Sequence, residues 1–465
     1  MPIQDLLPHS QKIRTILHFH YFPLRLFFTV GALFVFCLSA SAAALARPVI
    51  SIPGNGLQFT PQMRIGFHSG DDWEPSIAAD RYGHVYALYK HYDVQGGGTC
   101  PGCDLHLLVQ RSDDEGKTWS APRPIAPGPV KGGQYDPQIM VDPADGRTVW
   151  ASFLENSRSR IAVVKSTDFG QTWSKLEIVS DNPPGLDKDE LAVRGNTIVV
   201  AYDDNYNTWA AVSVDDGVHW STHEVFPTSR KFSLSLSAGA AIDSHGNIFV
   251  SWDSFDAAHR QHGNGPVTLW VSKSTDNGEH WTRTVIDISA EAPLCKNCGY
   301  AYLSSQMALR IGSDDTIYLL WNGSLDQRSL EPQRIFFSRS TDHGKTYSPR
   351  VDISDAPQGV ENCFPAIAVG QAPGDVRFAW MDTRTGKWNV FFRESTDGGL
   401  HLSSSVRISG YLPGYPYLTK AGFDLPYGDY QSMAVDSDNN TQMAFGEGPS
   451  YAGPGNQWVS HNVDR

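Results

Sequence analysis

Six short segments of this chain repeat one turn, and that repetition restricts its architecture more than any other feature. They are Ser112-Asp113-Asp114-Glu115-Gly116-Lys117-Thr118-Trp119, Ser166 to Trp173, Ser213 to Trp220, Ser274 to Trp281, Ser340 to Tyr347 and Ser395 to Leu402. Each reads Ser-x-Asp-x-Gly-x-Thr/His-aromatic, apart from the Leu that closes the last. The Asp two residues before Gly can accept bonds from the turn's own N–H groups while Gly takes a positive φ. The aromatic three residues beyond Gly is placed to pack the hairpin on its neighbour. Successive starts lie 47 to 66 residues apart, a period that builds a repeat array rather than a chain of unrelated domains.

A second repeat is interleaved with the first: a strand of small and apolar residues, a turn with Asp or Gly, and a second strand ending in aromatics. It occurs at Pro75–Asp80 with Val85–Tyr89, Pro137–Asp142 with Val149–Phe153, and Glu190–Val193. Further copies are Ala240–Asp243 with Ile248–Trp252, Met307–Ile311 with Ile317–Trp321, Pro365–Val369 with Val376–Trp380, and Gln431–Asp436 with Thr441–Phe445. That makes seven units. The first six lead into a third strand and a box, and the seventh into Gln457–Ser460 near the C-terminus. A last unit without an outer strand predicts closure by a strand from the N-terminal side, within Gln62–Ser69. The expected fold is an all-β propeller of four-stranded blades, seven in preference to six, with the box turns on the rim. With 11% aromatic residues, 42 Gly and 29 Pro, and no linker after Arg47, residues 47–465 read as one domain.

These boxes resemble those of the Asp-box (bacterial neuraminidase repeat) propellers, of which the sialidases are members. The resemblance implies that the boxes sit on the rim, away from the active face, and are structural. It also implies a glycan as partner and glycoside hydrolysis of the exo-α-sialidase type as the activity.

The N-terminus reads as an export signal. Leu26–Ala46 is apolar and uncharged, follows Lys12, Arg14 and Arg25, and ends in Ala44-Leu45-Ala46, an A-x-A cleavage pattern. An uncleaved membrane anchor is the alternative, since the run is long enough to span a bilayer. Both place the body outside the cytoplasm, secreted or periplasmic. The net charge is −13, and the first 46 residues hold three Lys/Arg and one Asp, leaving −15 on the rest. Nucleic acid and anionic lipid are therefore poor partners, with membrane contact only through an uncleaved N-terminal segment; a monomer is expected.

In a propeller the loops before the first strand and after the second strand of each blade meet on one face around the channel. Before first strands stand Asp71-Asp72-Trp73-Glu74, Tyr135-Asp136, Asp187-Lys188-Asp189-Glu190, Glu361-Asn362-Cys363-Phe364 and Tyr427-Gly428-Asp429-Tyr430. After second strands stand His91-Tyr92-Asp93, Glu155, Asp203-Asp204, Asp253, Asn322, Asp382 with Arg384, and Glu447. This face is a ring of carboxylates, which can divide into proton donors and bases, and of aromatics, which offer platforms for sugar rings. Trp73, Glu74, Tyr135, Asp136, Asp189, Asp382, Asp429 and Tyr430 are the expected substrate-binding residues.

The sialidase resemblance implies a Tyr nucleophile, an Asp acid/base and three Arg gripping a carboxylate. Tyr427-Gly428-Asp429 resembles the motif of the nucleophile, and Asp104 matches the acid/base. Arg384 is the arginine on the expected face, and Glu447 completes the catalytic candidates. The sequence departs from the family where an arginine would precede Ile-Pro: Trp73-Glu74-Pro75 stands there, Arg64-Ile65-Gly66 lies too early, and Val369 takes the place of the family's Glu. The competing classes are a non-catalytic glycan- or protein-binding propeller and a polysaccharide lyase. No cofactor is expected, beyond a divalent cation that could bridge an acidic sugar.

Cys100-Pro-Gly-Cys103 and Cys295-Lys-Asn-Cys298 form two C-x-x-C pairs, and Cys363 stands alone. Export favours disulfides for the pairs; a four-thiolate zinc site at Cys100, Cys103, Cys295 and Cys298 and free thiols are the alternatives. Cys363 is expected to be a buried thiol in the channel wall.

Overall fold

The structure is a computed structural model. It describes residues 50–52, 57–67, 70–92, 106–126, 132–180, 185–204, 206–226, 232–256, 266–290, 306–326, 332–411, 418–419, 422–423, 431–447 and 456–463. All regular elements among them are strands apart from turns, and seven antiparallel sheets succeed one another along the chain. Blades 1 to 6 span Asp71–Pro124, Tyr135–Ile178, Asp187–Phe226, Phe232–Ser289, Met307–Asp352 and Asn362–Arg407. Blade 7 contributes Gln431–Val435, Thr441–Glu447 and Asn456–Val463. The innermost strand of each blade packs on those of its two neighbours, and that of blade 7 packs on that of blade 1, so the ring closes.

Closure occurs where the unfinished seventh unit required it. Met63–Ile65 pairs antiparallel with Asn456–Val463, in register Met63 with Val459 and Ile65 with Gln457, and Gln58–Phe59 continues along the same strand. Thr60 fastens the seam: its N–H donates to the His461 carbonyl at 2.8 Å, and the Ser460 hydroxyl donates to the Thr60 carbonyl at 2.8 Å.

Second strands are buried along their whole length rather than on alternate residues, because each blade is covered on both faces by other blades. Val85–Tyr92, Ile317–Gly323, Val376–Asp382 and Thr441–Glu447 are buried at every residue. At one equivalent register position stand Tyr89, Phe153, Tyr202, Trp252, Trp321, Trp380 and Phe445, each with no exposed surface. Burying a large apolar side chain contributes roughly 1.5–3 kcal/mol, so this ring of aromatics is a major source of inter-blade cohesion.

The boxes are nearly identical in six places. In blade 2 the Ser166 hydroxyl donates to Asp168 Oδ1 at 2.8 Å and accepts from the Gly170 N–H, while Asp168 accepts from both the N–H and the hydroxyl of Thr172. Where His replaces Thr, its ring Nδ1 takes the hydroxyl's place, as in His219 on Asp215 at 2.6 Å. The glycine carries a further constraint that spacing does not reveal. A Cβ on Gly170 would lie 2.8 Å from the Tyr86 ring, and one on Gly217 would lie 2.8 Å from Trp150, so each box is pressed onto the preceding blade. Trp173 packs into the apolar cluster shared by blades 1 and 2.

Candidate functional site

The inner strands of blades 1, 2, 3 and 6 share a bulge at their first turn of chain. Register shifts lie between Trp73 and Ser76, Tyr135 and Gln138, Asp187 and Glu190, and Cys363 and Ala366. Within them Glu74, Asp136, Lys188 and Phe364 adopt φ of 57°, 50°, 49° and 52°. A left-handed conformation in a residue with a Cβ is costly and clusters at functional sites. Pro75, Pro137 and Pro365 follow three of these residues; a bulge leaves an N–H unpaired, so it tolerates Pro. The dipeptides Glu-Pro, Asp-Pro and Phe-Pro at strand starts are thus a readable signal for the bulges.

The bulges turn side chains into the mouth of the channel. Between blades 1 and 2, the Glu74 carboxylate accepts from the Asp136 N–H at 3.2 Å. Lys90, fully buried at the end of a second strand, lies 3.1 Å from the centroid of Tyr135 and 4.8 Å from that of Tyr92, and donates to the Gln134 carbonyl. Such a cation over aromatic faces is electrostatically favourable, yet burial pushes its pKa down, and the charges of Glu74 and Asp136 only partly restore it. Trp73 tilts against Tyr92 at 4.8 Å.

Between blades 2 and 3 the buried carboxyl of Asp187 lies beside that of Asp136. Arg158 donates to Asp187 at 2.7 Å and to the Leu186 carbonyl at 3.0 Å. Burial and the charge of Asp136 nevertheless raise the Asp187 pKa. Asp189 is 1% exposed and takes the Ser152 hydroxyl; burial lifts it well above the carboxylate range. Burial raises Glu190 to about 7 against the charges of Arg310 and Lys188, and raises Asp253 to about 8 against Lys188. One oxygen of Asp189 and one of Asp253 are buried without a hydrogen-bond partner.

The other half of the ring is organised differently. Arg384 is held by Asp382 at 2.7 Å, by Asp355 at 2.9 Å and by the Ser405 hydroxyl at 2.9 Å, and it stacks over Phe391 at 4.0 Å. The Trp380 N–H also donates to Asp382. Glu447 accepts from Gln62 at 2.9 Å, which links blade 7 to the closing segment. Glu361 takes the Gln333 N–H and is pushed up to about 7 by burial. Cys363 is a buried free thiol in the inner strand of blade 6.

The structure therefore brings Trp73, Glu74, Tyr135, Asp136 and Asp189 together in blades 1 to 3, and places Asp382 with Arg384 in blade 6 and Glu447 in blade 7. Tyr427, Asp104, Asp429, Tyr430 and the four C-x-x-C cysteines, like the N-terminal apolar run, lie outside the described residues. The cations Lys90, buried, and Arg158 and Arg310, partly buried, were not among the expected site residues. Lys90 carries the one usable signal, a lysine continuing an otherwise apolar second strand.

A closed ring of seven blades with an acidic mouth and six rim boxes defines an Asp-box propeller. The chain belongs to the BNR repeat-like domain family, whose model matches residues 68–308. Among curated proteins it is similar to the xyloglucanase Xgh74A of Acetivibrio thermocellus, with 26% identity over 286 residues that make up 56% of this chain and 31% of that one. The chain thus spans about a third of the length of that relative. Among solved structures, an ulvan lyase bound to -[GlcA(1-4)Rha3S]- superposes with a TM-score of 0.50 at 11% identity, covering 85% of this chain and 95% of the other. A Hadza microbial sialidase aligns with a TM-score of 0.47 at 13% identity, over 85% and 66% of the two chains. At such identities the structural likeness extends to the fold.

Proposed function

We propose that the mouth between blades 1 and 4 binds a glycan and hydrolyses a glycosidic bond by general acid–base catalysis. The observation that carries this reading is the cluster of buried carboxyls Asp136, Asp187 and Asp189 at the bulged inner strands of blades 2 and 3, with burial raising the pKa of Asp187 and Asp189. The proton held by Asp187 passes to the glycosidic oxygen as the bond to the anomeric carbon breaks. Water adds to that carbon, and its proton goes to an ionised carboxylate of the same cluster. A positioned acid of this kind contributes about 10²–10⁴-fold in rate. Tyr135 and Trp73 supply the sugar platforms. The polysaccharide-active names among the proteins it resembles agree with a glycan partner, and the apolar N-terminal run with work outside the cytoplasm.

The sialidase assignment of Tyr427, Asp104, Arg384 and Glu447 is the second reading. Arg384 already has two carboxylates on its guanidinium, and a clamp for an anionic sugar needs charge to spare. We therefore expect neutral or cationic sugars, or an acidic sugar bridged by a divalent cation, to be preferred over ordinary sialosides.

A glycan array with a released-sugar screen on the purified chain separates binding from turnover. Released sugar that is lost in Asp136→Asn supports the proposal; binding without any release favours the non-catalytic propeller, and an unsaturated product favours a lyase. Turnover of a fluorogenic sialoside abolished by Tyr427→Phe would restore the sialidase reading.

A further inference from the structure

The seven-fold repeat supplies its own controls for a site on the opposite end of the blades. In three boxes the residue before the glycine sits against the first turn of the preceding blade. At the junction of blades 7 and 1 this is Glu115, bonded to Ser437 at 3.2 Å; at that of blades 1 and 2 it is Phe169, packed on Tyr82 at 5.3 Å and His84 at 4.8 Å. At the junction of blades 4 and 5 it is His343, and it meets Asp243 and His245 from the turn of blade 4. Tyr82, Ala144 and Asp438 hold the position of His245 in other blades.

Asp243, His245 and His343 present ligand atoms that all lie within 4.8 Å of one another. His343 Nδ1 is 3.4 Å from Asp243 Oδ2, and it is buried without a hydrogen-bond partner. His245 Nδ1 is 3.4 Å from Asp315 Oδ2, on the first turn of blade 5, and 3.3 Å from the Ser244 hydroxyl. Zinc bonds of about 2.0–2.1 Å to N and O in a tetrahedron put neighbouring ligand atoms roughly 3.3–3.4 Å apart, so the His343–Asp243 spacing matches. The two imidazoles meet edge to face at 80°, with centroids 4.7 Å apart. Both carboxylates are already oriented: Asp243 by the N–H groups of His245 and Asn247 and by the Asn247 amide at 2.7 Å, Asp315 by the N–H and hydroxyl of Ser244. Such outer hydrogen bonds are how metal ligands are held in place. Asp315, on which Arg194 acts by charge, stands beside His245 as an outer partner.

We propose that Asp243, His245 and His343 bind a divalent transition-metal ion of the zinc class and so tie blade 4 to blade 5. Imidazole nitrogens select such ions over calcium and magnesium. The test is calorimetric titration of the full chain with zinc chloride, repeated after alkylation of its thiols, together with thermal melting in the presence and absence of zinc. Saturable binding of one ion that survives alkylation and raises the melting temperature is expected, since an ion bound to the folded state stabilises it. His343→Ala and the more exposed His245→Ala should each lose the ion and the melting increment while melting as the wild type does without zinc. Binding unchanged in both variants, binding abolished by alkylation, or an equal response to calcium would overturn the proposal.

Discussion

The rim and the channel mouth use the same side chain, aspartate, in opposite ways. On the rim the box aspartates recur in six blades, stand near solvent, and spend their oxygens on hydrogen bonds from their own turns. The His219 N–H, then its ring, pull Asp215 down to about 2, and His280 does the same for Asp276. At the mouth the acids differ from blade to blade, are buried, and are pushed up by burial, Glu190 to about 7 and Asp253 to about 8. Repetition marks what every blade needs in order to stand against its neighbour. Divergence at equivalent positions, kept at a cost in desolvation, marks what the molecule needs once.

The largest effect expected from this contrast is on chemistry. Asp136→Asn or Asp187→Asn should reduce glycan turnover about 10²–10⁴-fold with little change in melting; a loss of stability in place of activity would make the mouth a structural feature like the rim. Trp173→Ala should do the reverse. Removing that half-buried ring from the cluster shared by blades 1 and 2 should cost about 3 kcal/mol in denaturant unfolding and leave glycan binding by the folded protein intact.

A paired substitution then separates backbone conformation from close approach within the rim. Gly83 has a φ of 91° and nothing within 4 Å of where a Cβ would stand, whereas Gly170 has a φ of 71° and the Tyr86 ring at 2.8 Å. Gly83→Ala should cost about 1 kcal/mol and Gly170→Ala about twice that or more; equal losses would mean that the rim does not need contact with the preceding blade.

The pH dependence of stability should separate the two regions in sign. Asp253 binds its proton more tightly when folded, because burial raises its pKa to about 8. It thus favours the fold while protonated and costs stability as pH climbs from about 4 toward 8. Asp253→Asn should be nearly neutral at pH 4 and stabilising by roughly several kcal/mol at pH 8, measured by melting across that range. The box acids act below this window. Their depressed pKa means that the stability they contribute is present above the unfolded value near 4 and is lost as pH falls through about 2. Asp215→Ala should therefore flatten only the acid limb, by the smallest change of the series.

Much of the architecture was legible because it is local and periodic. Seven repeat units became seven blades, and the missing outer strand of the last became Met63–Ile65 on Asn456–Val463. Ser, Asp, Gly and Thr at fixed offsets became the box bonds, since all four partners lie within seven residues of chain. The ring of acids was legible as a face, through the rule that loops at one end of every blade converge.

What each of those acids touches was decided by tertiary structure. Asp136 and Asp187 stand 51 residues apart in the sequence, and the charge of Asp136 bears on Asp187 because the bulged starts of adjacent inner strands bring the two together. Arg384 reads from its position as a cation on the active face, but Asp355, from the outer part of the preceding blade, closes on it together with Asp382. Lys90 continues a strand pattern that predicts an apolar side chain, and it is accommodated by the Tyr135 ring of the next blade. The sequence by itself determined the turns, the blades and their number, because their hydrogen bonds and periodicity are written within a single unit. Only the closed ring decided the partners and protonation of the mouth, because inter-blade contacts and burial arise where separate units meet.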